Sequence, residues 1–294
     1  MIVDSRKTTI NNNIRTDVCP CCKSSLISKV GAIKYAKDTT YSSTQIILTE
    51  IPELWRCNQC QSCFTQNRVS ETDSIALYSI GNSWSSESFA NYKTQATVDL
   101  IQSLVKPGCK MLDIGCANGA MLDYAKQQEA VTFGLEYSRT NLDELRRKQH
   151  TAYSDWSQVD DNFDIITAFD VVEHLYDLES FLDSCFIHLS DNGVLVLMTG
   201  DINSWSARVG NKKWWYARYP EHILFPSLNY FSALHNFKIV STVKTYPNRL
   251  DKYWPMVNFL WRLQLTIRSL ILGNFIPTLL FPPDHFIVVL KKAK

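Results

Sequence analysis

Apolar and polar positions alternate along this chain in blocks that suit strands and helices in turn. Met111, Leu112 and Ile114 run into Gly115 and Gly119, and Ala120 to Lys126 then has helical spacing. Val131 to Leu135, Asn162 to Asp170, Val194 to Thr199, Phe237 to Val243 and Asp284 to Leu290 read as strands. Between them, Ser138 to Gln149, Leu178 to Leu189 and Leu228 to His235 read as helices. Upstream, Phe89, Tyr92, Ala96, Leu100 and Leu104 share one helical face, so Glu87 to Val105 is expected as a single helix. This alternation predicts an α/β domain from about residue 109 onward.

The first hundred residues have a different texture. Residues 1–17 are polar and are expected as a flexible tail, 70–108 as a helical linker and lid. Six of the nine cysteines fall between Cys19 and Cys63. Two C-x-x-C pairs supply the four thiolates that a tetrahedral zinc ion takes, and Cys19, Cys22, Cys57 and Cys60 are the expected ligands. Cys21 and Cys63 are spares, and Lys23 and Gln61 stand where such knuckles prefer glycine. Leu26 to Val30 and Gln45 to Leu48 would be strands of this zinc-ribbon-like module, residues 18–69. A module so small needs a metal staple in place of a large core.

Composition narrows the function classes. The 294 residues are 45% hydrophobic and 20% charged, with a formal net charge of +1. Near-neutral charge gives no bulk electrostatic case for nucleic acid as a partner. No N-terminal apolar run marks secretion, and clustered cysteines suit a reducing, cytoplasmic setting.

The strand, glycine loop and helix at 110–126 form the junction at which an open α/β sheet accepts a nucleotide-like ligand. A dinucleotide site would have G-x-G-x-x-G, which is absent here. Asp113 would repel a pyrophosphate and suits an ammonium or hydroxyl ligand. The run Met111-Leu112-Asp113-Ile114-Gly115-Cys116-Ala117-Asn118-Gly119 resembles motif I of the class I S-adenosylmethionine-dependent methyltransferases. Ala117 replaces the usual middle glycine, and its methyl group is tolerable at negative φ. Asp170-Val171-Val172-Glu173-His174 resembles motif IV of the same family. The Cys-Pro-x-Cys start, Arg56-Cys57, Phe64 and Tyr78 resemble bacterial sugar, polysaccharide and polyketide methyltransferases.

The resemblance implies a Rossmann-like, mostly parallel seven-stranded sheet of order 3-2-1-4-5-7-6 behind a small zinc ribbon. It implies that S-adenosyl-L-methionine contacts Asp113, Gly115, Cys116, Ala117, Gly119, Glu136, Asp155, Trp156, Phe169 and Asp170. Glu136 would take the ribose hydroxyls, Asp155 the adenine amino group, and Phe169 and Asp170 the methionine end. Zinc would be a structural cofactor.

Asp201 to Pro226 is an insertion rich in aromatic and basic residues: Trp205, Arg208, Trp214, Trp215, Tyr216, Arg218, Tyr219 and His222. Beyond the end of a sheet strand, such a loop suits a small-molecule acceptor pocket. For O-methylation the proton acceptor would be His222, with His174 second. C-methylation and an RNA substrate are the alternatives. Leu260, Leu263, Ile267, Leu270 and Ile271 share a face within 255–281, an amphipathic pattern expected to border the substrate side and to contact membranes weakly at most.

Overall fold

The computed structural model describes residues 8–33, 40–41, 44–80, 88–217, 219–247, 263–264, 267 and 283–293. The expected helix at 255–281 lies outside them, except for Leu263, Gln264 and Ile267, of which Leu263 and Ile267 are exposed. Arg218 is also outside. No described helix is long and apolar enough to cross a membrane.

Seven strands form the main sheet: β1 (Lys110–Ile114), β2 (Val131–Leu135), β3 (Thr151–Tyr153), β4 (Phe163–Phe169), β5 (Leu189–Gly200), β6 (Phe237–Thr245) and β7 (His285–Lys292). Their order across the sheet is 3-2-1-4-5-7-6. Only β7 runs antiparallel to its neighbours. The central strands are apolar almost throughout because both faces are covered. Alternate residues serve opposite faces: Leu112, Ile166, Leu195 and Leu197 join one core, Met111, Ile165, Val196 and Met198 the other.

The expected helix over 87–105 is two helices, Phe89–Tyr92 and Gln95–Leu104. Thr94 separates them, because its side chain accepts the Thr97 N–H and caps the second helix. The break turns Lys93 inward, where it is buried.

Residues 8–17 also differ from the expected tail. Thr8–Ile10 pairs in parallel with Thr44–Leu48. Asn12 is fully buried, its amide donating to the carbonyls of Glu50 at 3.0 Å and Asn67 at 2.8 Å. Accordingly the strand at 44–48 belongs to this small sheet and not to the cysteine module.

The cysteine module is a sheet of Ile27–Ala32, Glu53–Cys57 and Cys63–Gln66, completed by Leu224–Phe225 from the insertion. Thr65 N–H donates to the Ile223 carbonyl, and Ile223 N–H to the Glu173 carbonyl, each at 2.8 Å. The module is thereby tied to the loop after β4, and His222 lies beside the tie.

Candidate active site

The two cysteine knuckles have the same local geometry. Cys19 N–H donates to the Ser24 carbonyl at 2.8 Å and Cys57 N–H to that of Ser62 at 2.9 Å. Lys23 and Gln61 both take positive φ, 58° and 62°, so each adopts the left-handed turn for which glycine is preferred. Cys19 Sγ lies 3.7 Å from Cys60 Sγ, and Cys22 Sγ 3.6 Å from Cys57 Sγ. All four sulfurs fall within 4.8 Å of one another. Zn–S bonds of ~2.3 Å in a tetrahedron separate sulfurs by ~3.8 Å, so the donor set fits. Cys21 and Cys63 remain outside it, and burial pushes the Cys63 thiol up to about 12.

The glycine loop opens the second site. Gly115 has φ 66°, and a Cβ there would come within 2.7 Å of Val171 Cγ2, so only glycine lets the loop pass under the β4 end. Ala117 corrects the expectation of negative φ: its φ is 48°. For a residue with a Cβ this conformation costs roughly 1–2 kcal/mol. Its amide is aimed at Glu136, whose Oε2 accepts it at 2.9 Å, while Oε1 accepts Ser138 N–H at 2.8 Å. Glu136 therefore orders the loop, with lone pairs on both oxygens still able to receive a diol.

Asp113 is not an open carboxylate at the crevice mouth. It is buried, and Thr167 Oγ1 donates to its Oδ1 at 2.7 Å. Burial, with the Glu136 charge nearby, pushes its carboxyl up to about 7 against that hydrogen bond. Cys116 is buried under the loop, and Gly119 starts the helix Ala120–Lys126 with φ 78°. Asp155 caps the short turn Trp156–Gln158 by accepting Ser157 N–H at 2.8 Å. Trp156 stacks on His188, ring centroids 5.5 Å apart.

The loop after β4 carries the most densely linked side chains. Asp170, at φ 56°, accepts Lys93 Nζ at 3.1 Å. Burial opposes its ionisation, yet Lys93, His285 and His222 together hold it below the usual carboxylate range. Phe169 lies beside Lys93, whose Nζ is 5.9 Å from the ring centroid. The Tyr216 hydroxyl sits between two carboxylates, 3.2 Å from Asp170 Oδ1 and against Glu173 Oε1. Glu173 is fully buried and takes Thr199 Oγ1 at 2.9 Å; burial raises its carboxyl.

The two histidines face each other here, ring centroids 4.9 Å apart. His174 Nδ1 lies 2.8 Å from the Glu221 carbonyl and His222 Nδ1 2.7 Å from the Tyr216 carbonyl. A carbonyl only accepts, so each Nδ1 carries a proton, and Nε2 is the proton-accepting position of each ring. A ligand atom from each of Glu173, His174 and His222 lies within 4.8 Å of the others.

The insertion is less of a pocket wall than its composition suggests. Trp214 and Tyr219 are buried, and Trp214 packs against Tyr216 and Phe225. Trp214 and Trp215 both direct their indole N–H to Asp284 Oδ2, at 3.1 and 2.6 Å. Trp205 and Arg208 are exposed. The sequence pattern marks neither Lys93 nor Thr199 as a site residue, and it marks Tyr216 only as part of the aromatic insertion. A lone lysine one position after Tyr92, in the middle of an apolar helical pattern, was the available signal for Lys93.

The methyltransferase-domain family profile matches residues 87–241. A ubiquinone biosynthesis O-methyltransferase from Rhodopseudomonas palustris (strain HaA2) is 31% identical over 101 residues, 31% of this chain and 40% of that protein. The chain thus spans well under half the length of such relatives. The crystal structure of magnesium protoporphyrin IX methyltransferase from Synechocystis PCC 6803 has 15% identity and a TM-score of 0.47, covering 68% of this chain and 83% of that one. Geranyl diphosphate C-methyltransferase from Streptomyces coelicolor A3(2) has 14% identity and a TM-score of 0.46, covering 67% and 76%. The family match takes in the glycine loop, Glu136 and the Asp170–His174 loop, and on that ground this chain belongs to the methyltransferase-domain family.

Proposed function

We propose that this protein transfers a methyl group from S-adenosyl-L-methionine to an oxygen of a small-molecule acceptor, with His222 as the proton acceptor. The observation that carries this reading is the His174–His222 pair beside Glu173, with both Nδ1 protons fixed on backbone carbonyls. The residues present fit the cofactor. The loop takes positive φ at Gly115, Ala117 and Gly119, Glu136 suits a ribose diol, and the Asp170 carboxylate suits an ammonium. When bound, the cofactor supplies a methyl group on a sulfonium, already activated for displacement.

The protein's share is alignment and proton handling. His222 Nε2 takes the hydroxyl proton as the acceptor oxygen forms its bond to the methyl carbon. With the cofactor bound, the products would be a methyl ether and S-adenosylhomocysteine, the electron pair of the carbon–sulfur bond remaining on sulfur. His174 packs edge-on against His222 and holds its ring in place. The O-methyltransferase name of the relatives supports oxygen as the nucleophile.

Zinc held by Cys19, Cys22, Cys57 and Cys60 is proposed as structural, since its module abuts the loop that carries His222. Exposed Leu263 and Ile267 support a weak, reversible membrane contact, which sedimentation with anionic liposomes tests. The main reading is tested by incubating the protein with methyl-labelled cofactor and hydroxylated acceptor libraries. Label transfer that His222→Ala abolishes supports it; no transfer to any hydroxyl compound, with S-adenosylhomocysteine bound, rejects O-methylation.

A further inference from the structure

Arg68 ends the cysteine module, two residues beyond the strand Cys63–Gln66 and next to Asn67, whose carbonyl Tyr219 binds. Its backbone pairs with Ile14 in both directions, and the residue as a whole is only 7% exposed. The guanidinium carbon lies 5.4 Å from the Tyr176 ring centroid. Nε and Nη1 are buried with no hydrogen-bond partner, so three of its N–H bonds have no acceptor. Among the described residues no carboxylate forms an ion pair with it. Glu71 acts on it only through space and is itself exposed.

Such an arrangement is costly. Arginine does not shed its proton at ordinary pH, so burial cannot be relieved by neutralisation. A buried charge with no counter-charge in contact and three N–H bonds unmet is among the less favourable features a fold can retain. The packing around Arg68 preserves the cation without quenching it. Tyr176 spends its hydroxyl on the Val69 carbonyl at 2.8 Å, and Tyr219 on the Asn67 carbonyl at 2.6 Å. The Tyr176 ring covers the guanidinium, while both hydroxyls are directed at the backbone on either side of Arg68.

The position ties this cation to the acceptor side of the site. Tyr176 follows His174 by two residues, and Tyr219 precedes His222 by three. Tyr176 is half-buried and Tyr219 buried, so Tyr176 is the nearer of the two to solvent. Cofactor contacts lie on the other side, at the ends of β1 and β2.

We propose that Arg68 binds an oxyanion carried by the acceptor, a carboxylate or a phosphoryl group, which is lodged beside Tyr176 and Tyr219 while another part of the acceptor reaches His222. This rests on the methyltransferase reading for the word acceptor, but the anion site itself does not. Planar, multiply donating guanidinium is the group best matched to two-oxygen anions. The acceptor would therefore be an acid or a phosphorylated compound and not a neutral phenol or sugar.

Calorimetry with phenyl phosphate, benzoate and phenol tests this on the full chain. Phenyl phosphate or benzoate should bind, whichever anion the site prefers, and phenol should not. Arg68→Met, similar in length and uncharged, should weaken the bound probe at least tenfold, with unchanged S-adenosylhomocysteine affinity and no fall in melting temperature without ligand. If Arg68→Met does not fold, Arg68→Gln serves in its place. Absence of binding by both anions to the unaltered protein overturns the proposal. Equal binding by the variant also overturns it and marks the anion as adventitious. Failure of S-adenosylhomocysteine to bind, with anion binding intact, would remove the methyltransferase reading alone.

Discussion

Glu136 reaches from the end of β2 to accept the Ala117 N–H at 2.9 Å, across the turn where a residue with a Cβ holds a left-handed φ of 48°. The carboxylate is both the expected ribose ligand and the restraint on the loop that would surround the cofactor. Glu136→Ala should therefore weaken S-adenosylhomocysteine by roughly 30- to 150-fold, the effect of losing about 2–3 kcal/mol of charged hydrogen bonds. The same variant should melt lower, because the Ala117 and Ser138 amides lose their acceptor. Calorimetry and thermal unfolding read the two effects separately.

Asp113 predicts a pH dependence of opposite sign to most acidic residues. Its folded carboxyl is pushed up to about 7, above an unfolded value of ~3.9. Between these values the native state holds a proton that the unfolded chain has released. Its contribution to stability is therefore greatest below pH ~4 and is lost as pH rises to about 7. Asp113→Asn, which cannot ionise, should gain on the unaltered protein by roughly 2–4 kcal/mol between pH 4 and pH 8 in urea titrations without cofactor. A constant difference across that range would show that Asp113 is ionised in the fold.

The cysteine knuckles predict metal. Elemental analysis should give about one zinc per chain, as one four-thiolate site requires. A strong chelator should lower the melting temperature by well over ten degrees, since four mutually close sulfurs lose their common partner. Protein that is metal-free and melts identically with and without chelator would remove both the ion and its role.

His222 predicts a separation of turnover from folding. With an acceptor in hand, His222→Ala should lower kcat roughly 10²- to 10⁴-fold, the usual contribution of a positioned base. Cofactor affinity should fall far less than turnover does. Undiminished turnover would transfer the role to His174.

The strands were legible because those buried on both faces need nearly continuous apolar runs, as at Ile165 to Ala168 and Leu195 to Met198, whereas their order 3-2-1-4-5-7-6 was implied by the motif I and motif IV resemblance. The glycine loop and the cysteine pairs were legible for a related reason: their chemistry depends on residues only a few positions apart. What the chain could not reveal by itself is whatever depends on distant segments meeting. Lys93 reaches Asp170 only because the Thr94 cap breaks a helix that periodicity alone extends. Tyr216 binds Glu173, and Trp214 and Trp215 bind Asp284, across 43 to 70 residues of chain. Residues 8–17 read as a tail because nothing local holds them; Asn12 is held by Glu50 and Asn67. Local propensity and pattern record what a segment prefers on its own. Hydrogen bonds and burial between remote segments are decided by packing, and only the folded chain brings those partners within reach.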